Sequence, residues 1–169
     1  MSLDRILQRA DIWRGGDHAL RDKGAAVQRS VPSGYAELDA QLPGGGWPMG
    51  ALAELLLEQQ GIGEVQLLLP ALAQLSRGER WLMWISPPYL PYAPALATAG
   101  VELTHMLITR PRTQRDALWA MEQALRSGAC AAVLAWLEEL DPQAMRRLQL
   151  AAETGGSLGV LFRPRQAAS

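Results

Sequence analysis

In the stretch TQRDALWAMEQALRSGACAAVLAW, residues 113–136, a helix pattern is followed directly by an apolar strand pattern. Thr113 and Asp116 have the spacing of a capping box, which marks the start of a helix. The sequence therefore predicts a helix over Gln114–Ser127. The apolar run Ala131–Trp136 that follows predicts a strand. A helix followed at once by an apolar strand is the repeating unit of α/β proteins.

The same alternation extends in both directions from this stretch. Further strands are predicted at Ala51–Leu57, Arg80–Ile85, Met106–Thr109 and Leu158–Phe162. Further helices are predicted at Val65–Ser76, where Pro70 should break the first turns, at Ala93–Gly100, and from the Asp141 cap to Gly155. Alternating strands and helices imply right-handed crossovers, and hence a mostly parallel sheet flanked by helices.

Composition favours one globular domain with an N-terminal extension. Leu3–Arg14 has apolar residues at helical spacing, so residues 1–30 are interpreted as an N-terminal helix and linker, and residues 31–169 as the core domain. The 16 basic and 17 acidic residues give no overall field for nucleic acid, so direct DNA binding should be weak or absent. The start resembles no signal peptide and no apolar run could span a bilayer, so we expect a cytoplasmic protein without membrane contact.

The loop after the first predicted strand stands where a phosphate-binding loop would lie, but it lacks the necessary residues. Aligning Gly63 with the second glycine of G-x-x-x-x-G-K-[ST] places Glu58 at the first glycine, Glu64 at the lysine and Val65 at the hydroxyl. A carboxylate at the lysine position repels phosphate. Lys23, the one lysine of the chain, precedes the first strand and cannot take over. The nucleotide site is therefore interpreted as degenerate.

The other groups that nucleotide hydrolysis needs are also missing. The strand that should end on a Walker-B aspartate ends on Trp136, and the adjacent Glu138 and Glu139 do not converge on one ion. Cys130, the single cysteine, lies in an apolar run and belongs to no catalytic motif. We therefore expect no catalytic residue, no metal site and no cofactor, and interpret the chain as a degenerate P-loop pseudo-ATPase.

Three segments carry a resemblance to a known family. GGGWP at Gly44–Pro48, PPYLPYAPAL at Pro87–Leu96 and ALRSGACAAVLAW at Ala124–Trp136 resemble ImuA, a RecA-like family of translesion-synthesis accessory proteins. The resemblance implies a RecA-like P-loop fold and a non-enzymatic role in the SOS response to DNA damage, supporting error-prone translesion synthesis. The implied partners are ImuB, a DnaE-type error-prone polymerase and RecA.

A second family, the cell-division inhibitor SulA, resembles the stretch from Leu67 to Pro164. That resemblance implies binding to FtsZ and a block of its polymerisation. The GGGWP segment at Gly44–Pro48 decides in favour of ImuA, with SulA as the alternative.

Five residues are candidates for partner contacts. Tyr89 and Tyr92 lie among prolines after a strand, where their rings either are displayed as binding anchors or fold back onto the sheet. Arg110, Arg112 and Arg115 surround a predicted helix start and either bind an anion or are ordinary solvated charges.

Several other aromatic and basic residues are also assigned from sequence. Arg163 and Arg165 could join the three arginines in one basic edge. Trp81, Trp84, Trp119 and Trp136 are expected in the core, and Trp13 and Trp47 are expected to be freer. The segment Leu3–Arg14 is also a candidate for exchange between copies, giving a homo-oligomer.

Overall fold

The structure is a computed structural model that describes residues 29–61 and 63–165. The helix predicted at Leu3–Arg14 lies outside the described residues, and so does nearly all of the predicted linker. The division into a 1–30 extension and a 31–169 core therefore stays a prediction.

Seven strands and five α-helices make up the described part of the chain. In chain order they are β1 Ser30–Val31, α1 Ala36–Gln41, β2 Trp47–Pro48, β3 Ala51–Leu57, α2 Leu69–Ser76, β4 Trp81–Ile85, α3 Ala93–Thr98, β5 Met106–Thr109, α4 Gln114–Arg126, β6 Cys130–Trp136, α5 Pro142–Gly155 and β7 Leu158–Pro164. A 3-10 turn at Gln66–Leu68 precedes α2. No helix of these residues is long and apolar enough to cross a bilayer.

The main sheet has five strands in the order β3–β7–β6–β4–β5, and every neighbouring pair is parallel. The α/β class and the sheet flanked by helices are therefore confirmed. The finer prediction, a RecA-like P-loop fold, stays a prediction. All seven positions of β6 are buried, as its unbroken apolar sequence requires of a central parallel strand.

Helices cover the sheet on both faces. On one face Leu134 and Trp136 of β6 pack with residues of α2 and α3. On the other face Val133 and Ala135 pack with residues of α4 and α5. Because successive side chains of a strand point to opposite faces, one apolar run supplies both cores.

Helix starts and ends follow the local chemistry that the sequence predicts. Thr113 Oγ1 accepts a hydrogen bond from the Asp116 amide at 3.1 Å and donates to Asp116 Oδ2 at 2.7 Å. Asp141 Oδ1 accepts from the Ala144 amide at 2.6 Å, and Gly156, directly after α5, has the left-handed conformation that caps the helix. Pro70 lies in the first turn of α2, and the predicted helix is broken there into a 3-10 turn and an α-helix.

The segment before β3 has more structure than its glycines and prolines indicate. Trp47 of β2 pairs with Val31 of β1, and its side chain is buried in the core, so the expectation that Trp47 is freer is wrong. Gly46 lies so close to the backbone that a Cβ there would collide with the Val31 carbonyl oxygen. The side chain of Asp39 in α1 accepts from the Ser33 amide at 2.8 Å. The GGGWP segment is thus needed for local packing.

The tryptophans of the main sheet and its helices divide into two pairs. Trp84 and Trp136 are buried, as expected, with ring centroids 5.7 Å apart. Trp81 and Trp119 are exposed, so their assignment to the core is wrong. Trp81 is the first residue of β4, and Trp119 is not among the buried positions of α4. The hydrophobic pattern of a strand or helix does not show which of its apolar residues neighbouring elements leave exposed.

Candidate protein-docking surface

Four loops meet at one edge of the sheet, because the carboxyl ends of parallel strands lie together. They follow β3, β4, β5 and β6, at residues 58–65, 86–92, 110–113 and 137–141. All of the sequence-predicted contact residues except Arg115 lie in these loops, and Arg115 lies in the first turn of α4. We call this edge the carboxyl edge.

The loop between β4 and α3 carries large apolar side chains into solvent. Tyr89, Leu90 and Tyr92 are 69%, 72% and 72% exposed. The rings therefore do not fold back onto the sheet, although the Tyr89 ring lies against Gly61, where a Cβ would come within 3.0 Å of it. Leu90 was not predicted, since a lone leucine among prolines gives no periodic signal.

Prolines and one unusual backbone conformation hold this loop in place. Ser86, directly after β4, has φ = 53°, a left-handed value that is uncommon for a residue other than glycine. Its amide donates to the Thr109 carbonyl at 2.9 Å, which ties the start of the loop to β5. Pro87 is buried and Pro91 is partly buried. The restricted φ of proline lowers the entropy that the loop loses when a partner orders it.

A cavity of about 420 Å³ lies beneath the exposed rings. Its walls include Val65, Trp84, Leu96 and Trp136, and the loop of Tyr89 and Tyr92 forms its rim. The indole N–H group of Trp84 is buried and has no hydrogen-bond acceptor among the described residues, whereas the side chain of Trp136 interacts with the Glu64 carboxylate. A buried donor without an acceptor costs about 1–3 kcal/mol, so a local rearrangement that brings an acceptor to the Trp84 indole would be favourable.

Glu64 lies in the wall of the same cavity and supplies an anion to its own loop. Its carboxylate accepts from the amide of Gly61 at 3.0 and 3.1 Å and from that of Gly63 at 3.2 Å. Partial burial raises the pKa of this carboxyl, but the amides of Gly61, Glu64 and Gly63 and the side chain of Trp136 together outweigh it. The net pKa is lowered, so Glu64 is charged at neutral pH.

The three arginines near the start of α4 lie on the surface. The side chains of Arg110, Arg112 and Arg115 are exposed, and none forms an ion pair within the described part of the chain. The neighbouring Asp116 is hydrogen-bonded to Thr113. Arg112 lines a cleft of about 350 Å³ between the ends of β4 and β6, whose polar wall also includes Gln114. These positive charges are available to a partner.

The wider basic edge predicted from Arg163 and Arg165 is wrong. Arg163 is buried, pairs with Glu54, and donates from Nε to the Glu138 carbonyl at 3.3 Å. Arg165 pairs with Glu58 at 2.7 Å. Both guanidinium groups thus neutralise acidic residues on or after the neighbouring strand β3, because β3 and β7 are adjacent. No cluster of potential metal ligands occurs among residues 29–61 and 63–165.

Comparison with known proteins identifies the family of the chain. The family model for the cell division inhibitor SulA matches residues 50–159. SulA of Serratia marcescens is 33% identical over 117 residues, which cover 69% of this chain and 70% of that protein. SulA of Edwardsiella piscicida is 39% identical over 100 residues, which cover 59% and 60%. The crystal structure of SulA from Pseudomonas aeruginosa superposes with a TM-score of 0.56 at 31% identity, covering 67% of this chain and 97% of that one.

These matches overturn the assignment to ImuA. That assignment also supplied the role in translesion synthesis and the partners ImuB, a DnaE-type polymerase and RecA, so these predictions are wrong as well. The choice depended on Gly44–Pro48, which precedes the matched region and is explained by the close packing of Gly46 and the burial of Trp47. The chain belongs to the SulA family of cell division inhibitors.

Proposed function

We propose that this protein inhibits cell division during the SOS response by binding FtsZ, and that the carboxyl edge is its docking surface. The observation that carries the site is the exposed set Tyr89, Leu90 and Tyr92 above an apolar cavity whose wall includes the unpaired indole of Trp84. The function itself follows from the family. The protein acts by occupying its partner's surface, so it needs no catalytic group.

The exposed rings have the properties of binding anchors. Tyrosine buries a large area while losing few rotatable bonds, and tyrosines are enriched among the residues that dominate binding energy. Tyr92 directly precedes α3 and Tyr89 lies against the 58–65 loop, so both tyrosines are already positioned in the free protein. A partner that covers them gains apolar burial at a low entropic cost.

The cavity beneath the rings favours an acceptor on the partner. Trp84 has an N–H donor without an acceptor in the described residues, and the apolar side chains of Val65 and Leu96 line the same space. A backbone carbonyl within an apolar segment would match both features, because it accepts hydrogen bonds and carries no charge. The negative Glu64 in the wall disfavours a carboxylate at this point. We therefore propose that FtsZ inserts an uncharged, largely apolar segment here.

Charge at the rim favours an acidic surface around that segment. Arg112 lines the neighbouring cleft, which shares Pro88 and Trp136 with the cavity. Like Arg112, the nearby Arg110 and Arg115 are exposed and form no ion pair within the described residues. Rim charges mainly accelerate association and select the partner, and they add less to the final affinity. The tyrosine anchors should therefore mainly determine the final affinity and the arginines mainly the association rate, and binding kinetics can separate these two contributions.

We also propose that the 58–65 loop binds no nucleotide and that the protein works in the cytoplasm, where FtsZ acts. The loop amides that could hold a phosphate already donate to Glu64, and a phosphate would have to displace this carboxylate and approach its charge. Calorimetric titration with ATP and magnesium should give no binding heat. Micromolar binding would contradict this part of the proposal.

The proposal is tested with purified FtsZ and a single substitution, Tyr92→Ala. The unmodified protein should suppress GTP-dependent FtsZ assembly, measured by light scattering. Loss of an anchor is worth about 2 kcal/mol, so the variant should need about 30-fold more protein for the same effect.

The control is Leu150→Ala, which removes an exposed apolar side chain on α5, away from the carboxyl edge. It should inhibit as well as the unmodified protein. Full inhibition by Tyr92→Ala would refute the docking surface, and no inhibition by the unmodified protein would refute the function.

A further inference from the structure

A second apolar surface lies on the opposite side of the molecule from the Tyr89 loop and is not used by the proposed function. It is a groove of about 570 Å³ between α4 and the strands β4 and β5, and its largest lining side chains are Trp81, Met83, Leu107 and Trp119. Trp81, Leu107 and Trp119 are 40%, 48% and 64% exposed. We call it the tryptophan groove.

The groove exists because the sheet is wider than the helix layer on this face. The helix α4 packs on β6 and β4, while β5 is the edge strand of the sheet. Leu107 of β5 therefore points outward with no helix of the described chain above it. Contiguous exposed apolar surface of this kind usually marks a contact site.

We propose that the N-terminal segment Leu3–Arg14 of the same chain occupies the tryptophan groove. This segment lies outside the described residues, and its sequence places Leu3, Ile6, Leu7 and Ala10 at the spacing of one helix face. An apolar stripe with charged residues on its other side fits a shallow apolar groove. The charged residues Asp4, Arg5 and Arg9 would then face solvent.

The length of the intervening chain permits this contact. The described chain starts at Arg29, whose carbonyl accepts from the Met49 amide at 2.8 Å just before β3. The groove includes Trp81 and Cys130, the first residues of β4 and β6, so both points lie at the amino ends of the strands.

The distance to be bridged is moderate. Between β3 and β4 lie three strand spacings, about 14 Å, and to β5 four, about 19 Å. The 14 residues from Gly15 to Gln28 reach about 45 Å when extended, and an unstructured chain of that length has an r.m.s. span of about 20 Å. A tether matched to the span gives a millimolar effective concentration, which favours a contact within one chain over one between two chains.

The test uses the full-length chain and the substitution Leu7→Asp. The indole N–H resonances of Trp81 and Trp119 are assigned with Trp81→Phe and Trp119→Phe. In Leu7→Asp both resonances should shift and should be broadened more strongly by a soluble gadolinium chelate, because the groove becomes open to solvent. The resonances of the buried Trp84 and Trp136 should stay in place, which shows that the core is intact.

The matched control is Gln8→Asp, which adds the same charge one position along and off the apolar stripe. It should leave the Trp81 and Trp119 resonances unchanged. Two results would overturn the proposal. The first is that the Trp81 and Trp119 resonances do not respond to Leu7→Asp. The second is that these resonances shift on tenfold dilution of the unmodified protein, since that identifies a second copy as the occupant.

Discussion

Glu64 determines what its loop can bind by occupying the loop's own amides. Its carboxylate accepts from Gly61 and Gly63, and both glycines have the positive φ that lets consecutive amides turn inward. In a phosphate loop the same amides would face a ligand. At this position the sequence alone predicts the loss of nucleotide binding, although the replacement anion is visible only in the structure.

We expect the substitution Glu64→Gln to weaken the fold slightly and to do so in a pH-dependent way. The pKa of Glu64 is lowered from 4.5 in the folded state, so its stabilising contribution is complete above that pH. The contribution is lost as the pH falls through the lower folded pKa. Because the carboxylate is mostly solvated, the effect at pH 7 should be below about 1 kcal/mol.

The measurement is the free energy of unfolding by urea between pH 3 and pH 7. The difference between the unmodified protein and Glu64→Gln should shrink toward zero at the acid end. Glu139→Gln, which changes an exposed carboxylate, serves as the control. A Glu64→Gln difference that stays constant with pH would show that the charge of Glu64 does not stabilise the loop.

At the level of elements, the sequence predicts the bounds of a strand or helix best where they depend on residues close in the chain, such as apolar runs and helix caps. The strands Ala51–Leu57 and Met106–Thr109 have the predicted bounds, and the capped helices α4 and α5 begin where Thr113 and Asp141 place them. Each of these depends on neighbours in sequence.

What sequence could not show depends on residues far apart in the chain. The antiparallel pairing of β1 with β2 joins strands separated by α1, and Trp47 of β2 is buried against distant core residues. Exposure of Trp81 and Trp119 depends on the strand order, which leaves β5 at an edge. The sequence left open whether Tyr89 and Tyr92 are displayed or packed, and only the structure shows that both are exposed. The cavity and the unpaired indole of Trp84 also need coordinates.

The contact between α4 and α5 predicts a large effect of one small substitution. At Gly155, the last residue of α5, a Cβ would collide with the Leu125 carbonyl oxygen near the end of α4. We expect Gly155→Ala to lower the free energy of unfolding by about 1–3 kcal/mol, because backbone must move to make room. Urea denaturation measures this change.

Gly78→Ala is the matched control for that experiment. Its added Cβ would meet the Leu75 carbonyl oxygen at 3.5 Å, an ordinary contact. It should change stability by less than about 0.5 kcal/mol. Equal effects of the two substitutions would contradict the close approach of the two helices.

At the level of the whole molecule, the carboxyl edge and the tryptophan groove lie at opposite ends of the strands. A partner on Tyr89 and Tyr92 would thus leave Trp81 and Trp119 free for the N-terminal segment. The net charge of −1 gives no long-range attraction, so any steering must come from the local arginines.

We expect Arg112→Glu to slow association with FtsZ by about tenfold at low salt, since it reverses one charge of the rim. The dissociation rate should change less, and raising the salt should reduce the difference. Stopped-flow kinetics at several salt concentrations measures this. Arg146→Glu, an exposed charge on α5, is the control, and an equal effect of both would mean that only net charge matters.

The most direct test of the docking surface is hydrogen exchange of this protein with and without FtsZ. We expect slower exchange in the complex at the amides of residues 86–96 and 110–115, with little change in α5. Protection confined to α5 or to the tryptophan groove, with residues 86–96 exchanging as in the free protein, would contradict it.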